Sequence, residues 1–112
     1  MSYRGHVSVE VSIDEMLQQL DRWDFGYLLT GSDEGRPHLI ALRPKVSGEV
    51  LRFDAGGGRA CRNAAARPDV TVLFPPHPGS NGFSLVVDGR ATVDGDMIDV
   101  LPVRALLHRP AP

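Results

Sequence analysis

Two hydrophobic periods divide the chain. Near the start, Ile13, Met16, Leu17, Leu20 and Trp23 recur at spacings of three and four, which places them on one stripe of a helix. Ser12 followed three positions later by Glu15 is a capping box, in which the hydroxyl and the carboxylate satisfy orphan backbone N–H groups. Asp14 and Glu15 also suit the positive end of the helix dipole. The stripe is expected to lie against a sheet or to close one end of a barrel.

After Trp23 the period falls to two. The pattern predicts a strand over Phe25–Thr30, a Ser-Asp-Glu-Gly turn, and a second strand from about Pro37 to Val46. Ser47-Gly48 then turns the chain into a third strand, Glu49–Asp54, completing a meander. Pro44 has no ladder N–H to give, so the second strand is expected at an edge, bulged or bent there. Gly56-Gly57-Gly58 breaks the pattern, and Arg59–Arg67 reads as a short Ala-rich helix stopped by Pro68. Asp69–Phe74 returns to strand. Residues 75–82 carry turn chemistry at nearly every position and read as a surface loop. Phe83–Asp94 alternates cleanly, with Gly89 marking a bend, and Asp94-Gly95 turns into a last strand, Met97–His108, before a Pro-rich tail.

Six strands and two short helices predict a mainly β protein, an antiparallel barrel closed or partly closed, because closure removes unpaired edges. With 112 residues the chain makes one domain, residues 1–112, which buries only roughly 60 to 70% of the surface of its unfolded form. Dimerisation through a sheet face would bury more, and Val86, apolar on an otherwise polar face, hints at it.

Composition removes several classes of function. Twelve Lys and Arg against fourteen Asp and Glu give a net charge of −2, with no strong field for nucleic acid or anionic membrane. Aromatics make up 6% of the chain, too few for a base-stacking surface. No apolar run approaches the roughly 20 residues needed to span a bilayer, and the N-terminus lacks the apolar segment of a secretory signal. Cys61 is the single cysteine, so no internal disulfide forms, and a reducing, cytoplasmic location is expected.

Chemistry concentrates at residues 53–63, where a Gly-rich turn joins a strand to a helix N-terminus. Such a turn lets backbone amides approach a phosphate, and Arg59 and Arg62 add charge-assisted donors. Arg59, Arg62 and Asn63 share a helical face. The alternative is a solvent-exposed loop with two surface arginines. The segment matches neither a P-loop, which needs Lys after the glycines, nor a dinucleotide fingerprint.

The order of the segments Tyr27–Thr30, Asp33–His38, Val50–Phe53, Gly58–Asn63, Arg67–Phe74 and Val87–Ala91 resembles the pyridoxamine 5′-phosphate oxidase-like superfamily, in the form of its small actinobacterial members. The resemblance runs from about Phe25 to Asp94. It implies a six-stranded split β-barrel, usually a homodimer, with FMN or a deazaflavin bound between subunits. Arg59 matches an arginine that grips the cofactor phosphate, with Gly58 beside it and Arg62 and Asn63 one turn on. Ser84 falls at a polar position near the flavin, and Leu42 and Arg43 lie on the strand that passes the ring system. Two positions depart from the pattern: Ala60 stands where the oxidase has lysine, and Asp54 where a neutral side chain is usual. Losing one cation removes about 1.5 to 3 kcal/mol of charged hydrogen bonding. The chain also lacks the C-terminal segment with which the oxidase recognises its pyridoxal-type substrate, so a different substrate is expected.

The four histidines, His6, His38, His77 and His108, show no metal-ligand spacing and read as structural or exposed, with His6 near a flexible terminus. Cys61 reads as a small helix residue. Since a flavin brings its own redox chemistry, the protein's part is to bind and orient it and a small-molecule substrate. The expected function is therefore a flavin- or deazaflavin-dependent oxidoreductase. The alternative is a split-barrel dimer without catalysis or cofactor, serving as a carrier, small-ligand binder or interaction module.

Overall fold

The computed structural model describes residues 2–3 and 5–112; residues 1 and 4 of the N-terminal stretch lie outside the described residues. In chain order the elements are strands β1 (Ser2–Tyr3) and β2 (His6–Val11), helix α1 (Ile13–Gln19) with a 3₁₀ turn (Leu20–Arg22), strands β3 (Gly26–Thr30), β4 (His38–Leu42), β5 (Lys45–Ser47) and β6 (Val50–Asp54), helix α2 (Gly58–Ala66), and strands β7 (Asp69–Phe74), β8 (Ser84–Asp94) and β9 (Met97–Pro110).

All strand pairs are antiparallel. The sheet runs β4-β3-β7-β8-β9, and β9 then divides its free edge between two partners. Its first half pairs with β6, from Asp54 opposite Met97 to Leu51 opposite Val100, and its second half pairs with β2, from Val11 opposite Ala105 to His6 opposite Pro110. Among the described residues no ladder joins β4 to β6, so the barrel is split and its sheet is not closed.

The mainly β split barrel agrees with the sequence reading, but the described residues hold nine strand segments where six were expected. Three differences account for this, the first being β1, which pairs with β2. The expected strand Pro37–Val46 is broken at Arg43-Pro44 into β4 and β5, each an edge strand paired on one side only, as proline requires. The stretch around His6, expected to be flexible, is instead β2, zipped onto the end of β9. For the same reason β9 extends two residues past His108 into the expected tail.

The core lines the inner face of this sheet. Leu28, Leu51, Phe53, Val72, Phe74, Val87, Ile98 and Val100 are fully buried at alternate positions of their strands. The two aromatic side chains alone contribute about 2 to 3 kcal/mol each by burial. The serine half of the expected capping box forms, with Glu15 N–H donating to Ser12 Oγ at 3.1 Å. Met16 and Leu20 are buried while Ile13, Leu17 and Trp23 pack on the core's rim, so the expected stripe is the packing face. α2 seals another side with Ala60, Cys61 and Ala64, and packs on β8, β4, β3 and β9.

A bulge shapes β9. Asp88 faces Arg104 but Gly89 faces Pro102, which leaves Val103 unpaired and 60% exposed. Gly89 is required there because a Cβ would lie 2.5 Å from Val100 Cγ1 and 2.7 Å from the Leu101 carbonyl oxygen. Nearby, Arg52 and Asp99, directly opposite on β6 and β9, form a bidentate pair with Nε–Oδ1 at 2.8 Å and Nη2–Oδ2 at 3.0 Å. The hydrogen bond from Arg52, with its charge, holds the Asp99 carboxyl below its ordinary pKa although partial burial opposes this, and Asp99 in turn raises the Arg52 guanidinium.

Two outcomes follow from this geometry. Gly89→Ala is expected to lower unfolding free energy by about 1 to 3 kcal/mol, seen as a reduced urea midpoint with unchanged slope. Asp99 has a lower pKa folded than unfolded, so its contribution is complete above the unfolded value of ~3.9 and is lost as pH falls through the folded one. Urea melts between pH 7 and pH 3 should therefore show a smaller acid loss of stability in Asp99→Asn than in the parent chain. Equal losses would mean that the pair is fully screened by solvent.

Candidate functional site

The Gly-rich turn is built by backbone necessity. Gly56, Gly57 and Gly58 have φ of +66°, +77° and +72°, a left-handed run that other residues adopt only under strain. Its expected role as a phosphate cradle meets two carboxylates. Asp54 Oδ1 already accepts the Gly56 N–H at 3.1 Å, and Asp96, from the β8–β9 turn, packs so closely that a Cβ on Gly57 would lie 2.9 Å from its Oδ1. Gly58 is exposed at the first position of α2. An anion at the mouth of this turn would face both Asp54 and Asp96.

Along the outer face of α2 the electrostatics reverse. Arg59, Arg62, Asn63, Ala66 and Arg67 recur at helical spacing, and they line one side of a cleft of about 430 Å³ whose other side is the loop Gly31–Glu34 between β3 and β4. The structure thus brings Arg59, Arg62 and Asn63 together. Asn63 Nδ2 donates to Thr30 Oγ1 at 3.2 Å, tying α2 to β3 through the one polar side chain that is fully buried among the described residues. Arg67 pairs with Asp33 across the cleft. Of the cleft's three arginines, Arg59 and Arg62 have no ion-pair partner among the described residues and could meet an anion there. Ala60, at the position where lysine was the family expectation, belongs to the buried face of α2 and does not line the cleft.

Arg67 and Asp33 escaped the sequence reading. Arg67 was legible as the continuation of the arginine stripe; Asp33 was not, since only tertiary folding brings the loop to the helix. His38 stands opposite Thr30 on β4, and its buried Nδ1 has no hydrogen-bond partner among the described residues.

The other expected residues lie elsewhere. Arg43 is at the far end of the β3–β4 hairpin, roughly 16 Å from the Thr30 end by strand rise, and its Nε donates to Asp24 at 3.0 Å. It borders a shallow hollow with Tyr27 and Phe25, whose rings meet edge to face at 5.3 Å. Ser84 opens β8 opposite His108, next to the Phe74–Leu85 pair and so at the same end of the sheet as Gly26 and Arg43. The expected cofactor contacts thus form two groups, Arg59, Arg62 and Asn63 at one end and Arg43 and Ser84 at the other. Cys61 is buried, its Sγ 3.6 Å from the Asp96 carbonyl oxygen. No group of three or more His, Cys, Asp or Glu among the described residues is placed to hold a metal ion, and no described helix is long and apolar enough to cross a membrane.

Comparison with known proteins places this geometry among relatives. No family model matches the chain. Uncharacterized proteins of Mycobacterium bovis and Mycobacterium tuberculosis are each 37% identical to it over 118 residues, covering 91% of this chain and 82% of theirs. Among solved structures, an FAD-binding protein of Mesorhizobium loti superposes with a TM-score of 0.73 at 20% identity, over 96% of this chain and 100% of that one. A pyridoxamine 5′-phosphate oxidase-like protein of Listeria innocua gives 0.68 at 17% identity, over 85% and 96%. An F420 reductase gives 0.56 at 21% identity, over 85% and 92%. At these identities the likeness is one of fold.

Proposed function

Since the chain belongs to the family of the two mycobacterial proteins, within the pyridoxamine 5′-phosphate oxidase-like split-barrel superfamily, we propose that it is a flavin- or deazaflavin-dependent oxidoreductase whose cofactor phosphate is held by Arg59 and Arg62. The observation that carries this reading is the pair of unpartnered guanidinium groups on one face of α2, turned to a cleft and backed by Asn63. Structural neighbours that bind FAD or reduce F420 support a flavin-type group. FMN is the form that the superfamily resemblance favours.

When bound, such a cofactor supplies the hydride or electron transfer. The chain's own part is to grip and orient. Arg59 and Arg62 donate to phosphate oxygens, each charged hydrogen bond adding about 1.5 to 3 kcal/mol. Asn63, locked by Thr30, fixes the rotation of α2 and hence the aim of both arginines. Arg43 and Ser84, at the opposite end of the sheet, meet the same ligand only if it is extended or if they act across a subunit interface.

A homodimer is part of this reading, and the outer face of the sheet supports it. Leu29 faces Leu39, Tyr27 faces both Ala41 and Leu73, and Leu73 faces Val86, forming an apolar patch across β4, β3, β7 and β8. Leu39 is 57% exposed, and Leu29 and Leu73 also remain open to solvent. Such a patch on a small barrel suits a second copy of the chain. A cytoplasmic setting belongs to the same reading, the single cysteine being buried and unbonded.

Asp54 and Asp96 favour the second reading, a non-catalytic split-barrel dimer that binds a small ligand or a partner, because they oppose an anion at the helix entrance.

Titration of the purified protein with FMN, FAD and an F420-type deazaflavin, followed by fluorescence polarisation, separates the two. Saturable binding that Arg59→Ala weakens by about tenfold to a hundredfold supports the oxidoreductase. An unchanged affinity in that variant discards the phosphate assignment, and no binding at tens of micromolar moves the reading to the non-catalytic dimer. For the interface, light scattering is expected to show a dimer that Leu39→Glu converts to a folded monomer; a parent chain that is already monomeric would remove any site shared between subunits.

A further inference from the structure

A second hollow, of about 610 Å³, lies away from the α2 cleft, between α1 with its 3₁₀ turn, the paired strands β2 and β9, and the loop of residues 75–82. Its floor is apolar, made by Met16, Leu85 and Leu107, and Val9 stands 42% exposed on its lining. One wall is aromatic, with the Trp23 and His77 rings meeting edge to face at 4.6 Å and 89°.

The loop that carries His77 is fixed from within. His77 N–H donates to Ser80 Oγ at 2.9 Å, the Ser80 hydroxyl donates to the His77 carbonyl at 2.9 Å, and Gly79 N–H donates to His77 Nδ1 at 3.1 Å. Because Nδ1 accepts, the neutral ring carries its proton on Nε2, which makes that nitrogen a donor. Arg22, at the end of the 3₁₀ turn, lines the same hollow and has no ion-pair partner among the described residues. Two acids share the lining. Glu10 is neutralised by Arg104, whose Nε donates to its Oε1 at 3.1 Å. Glu15 lies seven positions before Arg22, about 10 Å away along the helix axis. The hollow therefore has an apolar and aromatic body with a cationic end and a fixed neutral donor.

A concave site of several hundred Å³ with an apolar lining and a few placed polar groups is the usual form of a small-molecule site. We propose that this hollow binds a flat aromatic anion, its ring against Trp23, Met16, Leu85 and Leu107 and its acid group paired with Arg22 and accepting from His77 Nε2. It shares no residue with the α2 cleft, so it stands whether or not a flavin binds there.

Trp23 is the chain's single tryptophan, so its emission reports on this hollow without a label. The full chain is titrated with naphthoate, with the uncharged naphthamide and with the cationic naphthylmethylamine. The expected result is a saturable change in Trp23 emission with naphthoate, with affinity about tenfold weaker for naphthamide and for naphthoate binding to Arg22→Gln. Val9→Tyr, which fills the hollow from an exposed position, should abolish the change while its thermal melt stays close to that of the parent. Arg59→Ala should leave the titration unaltered. Absence of a saturable change at millimolar naphthoate, equal affinity for the three probes, preference for the amine, or indifference to Arg22→Gln would each overturn the assignment.

Discussion

β9 has to serve three partners with two edges, and this constraint organises the protein. One edge is given wholly to β8, while the other passes from β6 to β2 partway along. A strand can change partners on one edge only by changing direction, and the bulge at Val103 provides the change. The bulge needs two residues that suit no ordinary strand. Gly89 allows the backbones to approach, and the buried Pro102 has no N–H to leave unsatisfied where the ladder is interrupted. The split of the barrel follows from that local irregularity.

The α2 cleft depends on the same frame. Because Ala60, Cys61 and Ala64 are small, the helix can lie close to the sheet, and the opposite stripe then projects its long cations outward. Packing alone leaves a helix free to rotate by some degrees; the Asn63–Thr30 hydrogen bond removes that freedom by engaging a hydroxyl with no access to water. The core thereby sets the aim of Arg59 and Arg62, although neither side chain takes part in it.

Much of this frame was legible from periodicity. The stripe of α1, its serine cap and the long alternation of β8 are local patterns, and local patterns survive folding. The break at Pro44 was also local chemistry. β2 is more instructive: Val7, Val9 and Val11 alternate with Ser8 and Glu10, yet a short alternation at a chain end carries little weight until a partner is known, and its partner lies about a hundred residues away on β9. The same distinction holds at the site. Helical spacing was enough to gather Arg59, Arg62 and Asn63, whereas the Arg67–Asp33 pair and the approach of Asp96 to Gly57 arise only from tertiary contact. The resemblance links Arg43 and Ser84 to the same cofactor, and the β3–β4 hairpin sets them at the opposite end of the sheet from the cleft, a separation that only the folded structure shows.

The charges around α2 are best understood as a gradient along the helix. A free helix N-terminus offers several amides and a partial positive charge to an anion. Here Asp54 has taken the amide of Gly56 in the turn and Asp96 sits beside Gly57, so the attraction of that end is already compensated by the protein itself. At the other end Arg67 is compensated by Asp33. The first two cations of the stripe, Arg59 and Arg62, have no ion-pair partner among the described residues, and an incoming phosphate would be bounded by Asp54 and Asp96 on one side and Asp33 on the other. In the proposed phosphate reading the affinity rests chiefly on these two side-chain donors, so the loss of either arginine is expected to weaken it.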